Sequence, residues 1–203
     1  MIQYLEKNAI SNSYHDFSDK LSYFSIPNTR NVLSNLILLI PAVYLLSKQK
    51  YNKLLPIILG LSLSSAYYHL NPNDNTILLD MVFVITLNTI ILSYFVDDTM
   101  GNIAILVGLV SVLYWKQTQN SRPYVFLQVI IFLYCLYKVY PTRAKQYIIP
   151  LIIIGFLTRV SELNDKLIYK STDNLISGHS LKHIFAGIQI FIIILILEKL
   201  NKI

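Results

Sequence analysis

Apolar residues in this chain run in long unbroken stretches rather than in alternation, and the polar residues gather in short clusters between them. A helix of about 20 apolar residues crosses the hydrocarbon core of a bilayer. Breaking the stretches at charged and Pro/Asn clusters predicts seven such helices, at about 31–47, 54–70, 76–96, 101–115, 124–140, 147–162 and 179–198. The third and seventh are the clearest; the fourth (Asn102 to Trp115) and sixth (Tyr147 to Glu162) are short. Short loops leave no room for a separate soluble domain. The pattern therefore predicts an all-α membrane protein, a seven-transmembrane helix bundle over 31–203 behind a polar N-terminal segment, 1–30.

Residues 1–30 carry Glu6, Lys7, Asp16, Asp19, Lys20 and Arg30 and no apolar core. A cleavable signal peptide is not expected there, and the first spanning helix is expected to direct insertion. Composition agrees with an integral multi-pass protein: 54% of residues are hydrophobic and 14% charged. The net charge of +6 is spread over loops without a basic block, which argues against nucleic acid and for lysines lying beside anionic lipid. Alternate loops divide the basic residues evenly. Lys48, Lys50, Lys53, Lys138, Arg143, Lys145, Lys199 and Lys202 fall on one face and Lys7, Lys20, Arg30, Lys116, Arg122, Arg159, Lys166 and Lys170 on the other, so charge does not set orientation. The single cysteine, Cys135, allows no intramolecular disulfide and no thiolate cluster, and reads as a packing residue.

Polar side chains inside a bilayer are costly, so those that persist there are candidates for function. Ser65 and His69 are four residues apart near the end of the second run, which puts them on one helical face a turn from each other. The turn Asn71-Pro72-Asn73-Asp74 sends the chain back, with Asn75 or Thr76 the expected N-cap, and Asp80 follows about one turn into the third run. His179 and His183, again four apart, open the last helix just after Gly178. Two imidazoles one turn apart can share a metal ion. Successive helices alternate direction, so Ser65, His69, Asp80, His179 and His183 are expected to converge on the N-terminal face.

Three imidazoles without cysteine suit zinc with a fourth position open, the arrangement of catalytic sites, although iron and cobalt accept the same ligands. Zinc lowers the pKa of its water to about 7, and Asp80 is then expected to serve as general base and later as acid. Ser65 is expected to bond a substrate carbonyl oxygen, to orient a metal ligand, or to satisfy its own helix backbone. These roles together predict metal-assisted hydrolysis of a carbonyl compound. The intramembrane position favours a lipid; amide and ester both fit.

The same residues resemble the alkaline ceramidase family, part of a larger group of seven-helix membrane hydrolases that includes the adiponectin receptors. The resemblance lies in Ser65-x3-His69, Asp80 eleven residues on, and His179-x3-His183, together with "IPNTRNVLSNL" at 26–36, "SAYYHLNPND" at 65–74 and "SGHSLKH" at 177–183. It runs from about Asp16 to Ala186. It implies zinc on His69, His179 and His183, Asp80 as the acid/base group with Ser65 assisting, and hydrolysis of the ceramide amide to a sphingoid base and a fatty acid. In a eukaryotic host it implies a membrane of endoplasmic reticulum or Golgi type. Characterised eukaryotic members also hold calcium before the first helix. Asp16 and Asp19 correspond to part of that site, but Asn28 stands where the family has a glutamate, which argues against calcium.

Other polar residues have local readings. Asn31, Ser34 and Asn35 form a stripe expected to join helices by hydrogen bonds and to brace the site. Arg159 and Glu162 form an i,i+3 ion pair; with Asp165 they could alternatively orient His179 or His183. Tyr67 and Tyr68 read as interfacial anchors and His15 as a surface residue. Two competing functions are a ceramidase-like receptor or regulatory protein with a mainly structural zinc site, and a proton or metal transporter. The first has no use for Asp80 and Ser65. The second needs a polar path across the bilayer, yet on the opposite face only Asn88, Thr89 and Gln189 interrupt the third and seventh helices.

Overall fold

A computed structural model of the chain describes residues 15–50 and 53–203. Among these the only pairing outside helices is an isolated antiparallel bridge between Tyr23 and Ile26. The first expected span is Thr29–Ser47 (α1), in which a tighter 3-10 turn over Asn35–Leu38 begins where the polar stripe Asn31, Ser34 and Asn35 ends. Then come Leu54–Leu70 (α2), Asp74–Ser93 (α3), Asp98–Thr118 (α4), Arg122–Val139 (α5) and Ile148–Leu163 (α6). A short helix that the apolar pattern does not predict, Asp165–Ser171 (α7), precedes Gly178–Lys199 (α8). The first 14 residues of the expected polar segment 1–30 lie outside the described residues.

Among the described residues six helices are long and apolar enough to cross a membrane, in place of the expected seven. The difference is α2, an apolar helix of 17 residues. Capping residues set several boundaries. Asn73 accepts from the backbone N–H groups of Asn75 and Thr76, and Thr76 Oγ1 accepts from Asn73 N, so the N-cap of α3 is Asn73 rather than Asn75 or Thr76. This reciprocal capping box satisfies donors that would otherwise be orphaned at the helix start. Asp97 caps α4 through Met100 N and Ser177 caps α8 through Ser180 N.

The largest apolar core joins Leu45 of α1, Ile58 of α2, Ile90 of α3, Ile131 of α5 and Ile194 of α8. A second cluster, around Tyr68, Ile77, Val112, Trp115 and Tyr124, takes in Phe17 from the N-terminal segment. Outward-facing Leu63, Leu106, Phe126, Leu133, Ile149 and Phe156 are exposed, as side chains that meet lipid tails must be. Helices α1, α2, α3 and α8 hold the centre; α6 packs along α8, and α5 along α3 and α4.

The closest backbone approach lies where α8 begins. A Cβ on Gly178 would sit 2.2 Å from the Ser161 carbonyl oxygen and 2.7 Å from Asp165 Cα. Only a residue without a side chain lets α8 start against the end of α6. Gly178→Ala is expected to lower stability by about 1–3 kcal/mol, read as a fall in melting temperature in detergent, while Gly155→Ala, whose nearest contact would be 3.7 Å, changes it little.

Candidate metal centre

The end of α2 brings His69, and the first two turns of α8 bring His179 and His183, to one point. His69 Nε2 lies 3.2 Å from His179 Nε2 and 3.2 Å from His183 Nε2. Ligand atoms of the three rings all fall within 4.8 Å of one another. Tetrahedral zinc with bonds of about 2.0–2.1 Å needs its nitrogens about 3.3 Å apart. The two spacings to His69 match that value, as they match iron or cobalt sites, while the third pair falls within 4.8 Å. His69 is 0% exposed and His183 5%, whereas His179 is less buried. Nitrogen lone pairs that face one another in a dry interior repel unless a proton or cation lies between them, so these three rings either share protons or hold a cation. Among the described residues this is the one group of three or more His, Cys, Asp or Glu gathered closely enough for an ion.

Asp80 is 6% exposed on α3, and Ser65 is 4% exposed one turn before His69. The Ser65 side chain hydrogen-bonds the Asp80 carboxylate, whose Oδ1 has no partner among the described residues. Of the expected roles for Ser65, the contact seen is with the acid/base candidate rather than with the backbone of its own helix.

The N-terminal segment closes over the histidines. Phe17, 5% exposed, packs edge-on against His69 and His179, with ring centroids 4.6 and 5.1 Å apart. His15 is not an ordinary surface residue. Its Nδ1 lies 3.0 Å from the Tyr68 hydroxyl and its Nε2 3.1 Å from Asp74 Oδ1. Tyr68, 3% exposed, is part of this packing and not an interfacial anchor, while Tyr67 is 48% exposed and keeps that reading. Asn28, in the left-handed conformation that asparagine tolerates, donates from Nδ2 to the His69 carbonyl oxygen at 2.9 Å. It thereby satisfies an orphan carbonyl at the end of α2.

The acidic residues of the calcium expectation part company. Asp19 is fully buried and accepts from the backbone N–H groups of Leu21, Arg30 and Asn31, which anchors the start of α1. Asp16 pairs with Lys20 at 2.8 Å and Lys166 at 3.2 Å, and hydrogen bonds from these two ammonium groups, Lys20 first, hold its carboxyl below the usual range. The two carboxylates thus have separate protein partners.

Asp165 bridges two segments. Its Oδ1 accepts from His179 N at 2.8 Å and its Oδ2 from Ser18 N at 3.1 Å, so it positions His179 through the backbone. Arg159 and Glu162 form the expected ion pair at 2.5 Å, and Glu162 Oε1 also accepts from Lys182 at 3.1 Å. They meet this lysine instead of the histidine rings. Lys182, a lysine between two histidines in an apolar helix, is a functional residue that the cost of a charge in that setting marks in the sequence. Its charge acts on Asp80 and on all three imidazoles. A cavity of about 640 Å³ opens beside His179, between Asp16 and Phe17 on one side, Val125 of α5 on another, and Arg159, Glu162 and Leu163 at the end of α6.

No family model matches the sequence, and no curated protein matches it. Two outcomes follow from the geometry. Protein loaded with zinc and then desalted is expected to keep about one ion per chain by elemental analysis, and His179→Ala with His183→Ala to keep none. Asp165→Ala, which strands the N–H groups of Ser18 and His179, is expected to lower stability by about 1–3 kcal/mol in a thermal melt.

Proposed function

We propose that the protein is a zinc-dependent intramembrane amide hydrolase that cleaves ceramide or a related lipid amide to a sphingoid base and a fatty acid. The observation that carries this reading is the convergence of three imidazoles, with Nε2 atoms 3.2 Å apart in two of the pairs, in a helical bundle that also buries a carboxylate, Asp80, tied through Ser65 to the helix that carries His69. The ceramidase resemblance of Ser65, His69, Asp80, His179 and His183 supports the same reaction. So does the position of the cavity, whose wall combines apolar Val125, Leu163 and Leu167 with charged Arg159, Glu162 and Lys166, a lining matched to a lipid with a polar head.

The proposal includes seven spans. At about 1.5 Å per residue the 17 residues of α2 rise about 26 Å, enough to cross a hydrocarbon core of about 30 Å with modest local thinning. With α2 as a span, the end of α2 and the starts of α3 and α8 share one face, as the histidines require.

His69, His179 and His183 hold the ion, and zinc held this way supplies Lewis acidity that polarises a carbonyl and makes water nucleophilic near neutral pH. Asp80 takes a proton from the attacking water and returns it to the amide nitrogen as the C–N bond breaks, leaving a carboxylic acid and an amine. Ser65 holds the Asp80 carboxylate in one orientation. His179, the least buried of the three rings and the one that lines the cavity, marks the side from which substrate approaches. Phe17 packs against the same rings and keeps bulk water from them.

Incubation of the purified protein with ceramide, read by mass spectrometry, is expected to release fatty acid. Asp80→Asn should lower the rate by about 10²–10⁴-fold while zinc content is unchanged. Full activity in a His179→Ala, His183→Ala double variant overturns the proposal. Chelation separates the receptor reading: a hydrolase loses activity and stays folded, whereas a protein with a structural zinc site unfolds.

A further inference from the structure

We propose that Ser34 of α1 is a positioning residue for the metal centre: its hydroxyl fixes the proton of His183 on Nδ1 and keeps the Nε2 lone pair turned toward His69 and His179. The use of that lone pair rests on the zinc reading above; the placement of the proton does not.

The argument is one of counting donors. Ser34 Oγ lies 2.9 Å from the Asn31 carbonyl oxygen and 2.8 Å from His183 Nδ1. A carbonyl oxygen only accepts, and a hydroxyl has one proton. Both contacts are hydrogen bonds at once only when the Ser34 proton goes to Asn31 and the Ser34 oxygen accepts from His183. The Asn31 backbone also hydrogen-bonds His183, and its carbonyl is again an acceptor. Every protein group that meets this side of the ring thus calls for an N–H at Nδ1. A neutral imidazole carries one proton, so Nε2 is left bare, 3.2 Å from His69 Nε2. The opposite tautomer would aim a proton into the space where a metal must bind.

The rest of the α1 stripe holds this arrangement in place. Asn31 is fully buried; its N–H is held by Asp19 Oδ2 at 3.3 Å, and its Oδ1 accepts from Ser177 at 2.9 Å and Ser180 at 2.7 Å. Those serines flank His179 on α8, so one asparagine registers α1 against the helix that carries two of the three histidines. His69 is held differently. Its Nδ1 has no hydrogen-bond partner among the described residues, and its ring is fixed by packing against Phe17. Hydrogen bonds to a metal-binding histidine are typically worth about 10–100-fold in metal affinity. Because the Asn31 carbonyl remains when Ser34 is removed, the low end of that range applies here.

The test uses the full-length protein in nanodiscs. Nitrogen-15 NMR of the metal-free wild type is expected to show His183 protonated on Nδ1. Ser34→Ala is expected to give a mixture of tautomers and about tenfold weaker Co²⁺ and Zn²⁺ binding in a chelator competition, with Ser34→Thr restoring both. Two results overturn the proposal: a wild type with its His183 proton on Nε2, or a Ser34→Ala protein with wild-type tautomer and wild-type affinity. The wild-type spectrum decides by itself should Ser34→Ala fail to fold. A wild type that takes up no zinc defeats the hydrolase reading instead, and the tautomer then still supports or overturns the assignment to Ser34.

Discussion

A ring nitrogen removed from water must find a partner or an ion, and within a hydrocarbon slab no solvent is at hand to supply either. His69, His179 and His183 meet that constraint by facing one another, and the polar structure around them follows from it. The Asp165 carboxylate takes the His179 N–H, the Ser34 hydroxyl takes the His183 ring, and Asn28 takes the His69 carbonyl. Each histidine is thus held by a residue from a different piece of chain: the start of α7, the first helix, and the segment before it.

Charge around the centre is similarly arranged. Lys182 enters the apolar helix between two histidines, and Glu162 from α6 answers it at 3.1 Å. A lone ammonium at this depth would be expensive, so the carboxylate and its partner Arg159 give α6 a polar reason to lie along α8 in addition to its apolar contacts. Their end of α6 also forms a wall of the cavity beside His179. Helix packing and access to the histidines therefore share the same residues.

Much of this was legible in the sequence, for reasons particular to each element. Apolar runs bounded by Asn, Asp and Pro gave helix limits within a few residues, because in lipid nothing but a continuous helix satisfies the backbone. The four-residue spacing of His179 and His183 is itself a geometric statement, and parity of helix direction placed His69 beside them. What the sequence hid was tertiary. Phe17 and His15 sit in a polar segment with no periodicity to mark them, and Tyr68 differs from Tyr67 only in which face of α2 it occupies. Asp16 and Asp19 look alike as letters; one pairs with lysines in the open and the other is buried against the start of a helix. The extra helix Asp165–Ser171 is too short and too polar to register as an apolar run.

His69 is separated by 114 residues from His183, and every other span is synthesised before the helix that carries His179 and His183. A nascent chain passes through most of its insertion into the membrane with one solitary ligand, incapable of holding an ion firmly. The three rings come together only when the last span docks, so their grouping marks a completed bundle. A chain stalled before that helix would present one buried imidazole with neither of its ring partners, and that sets it apart from the finished protein.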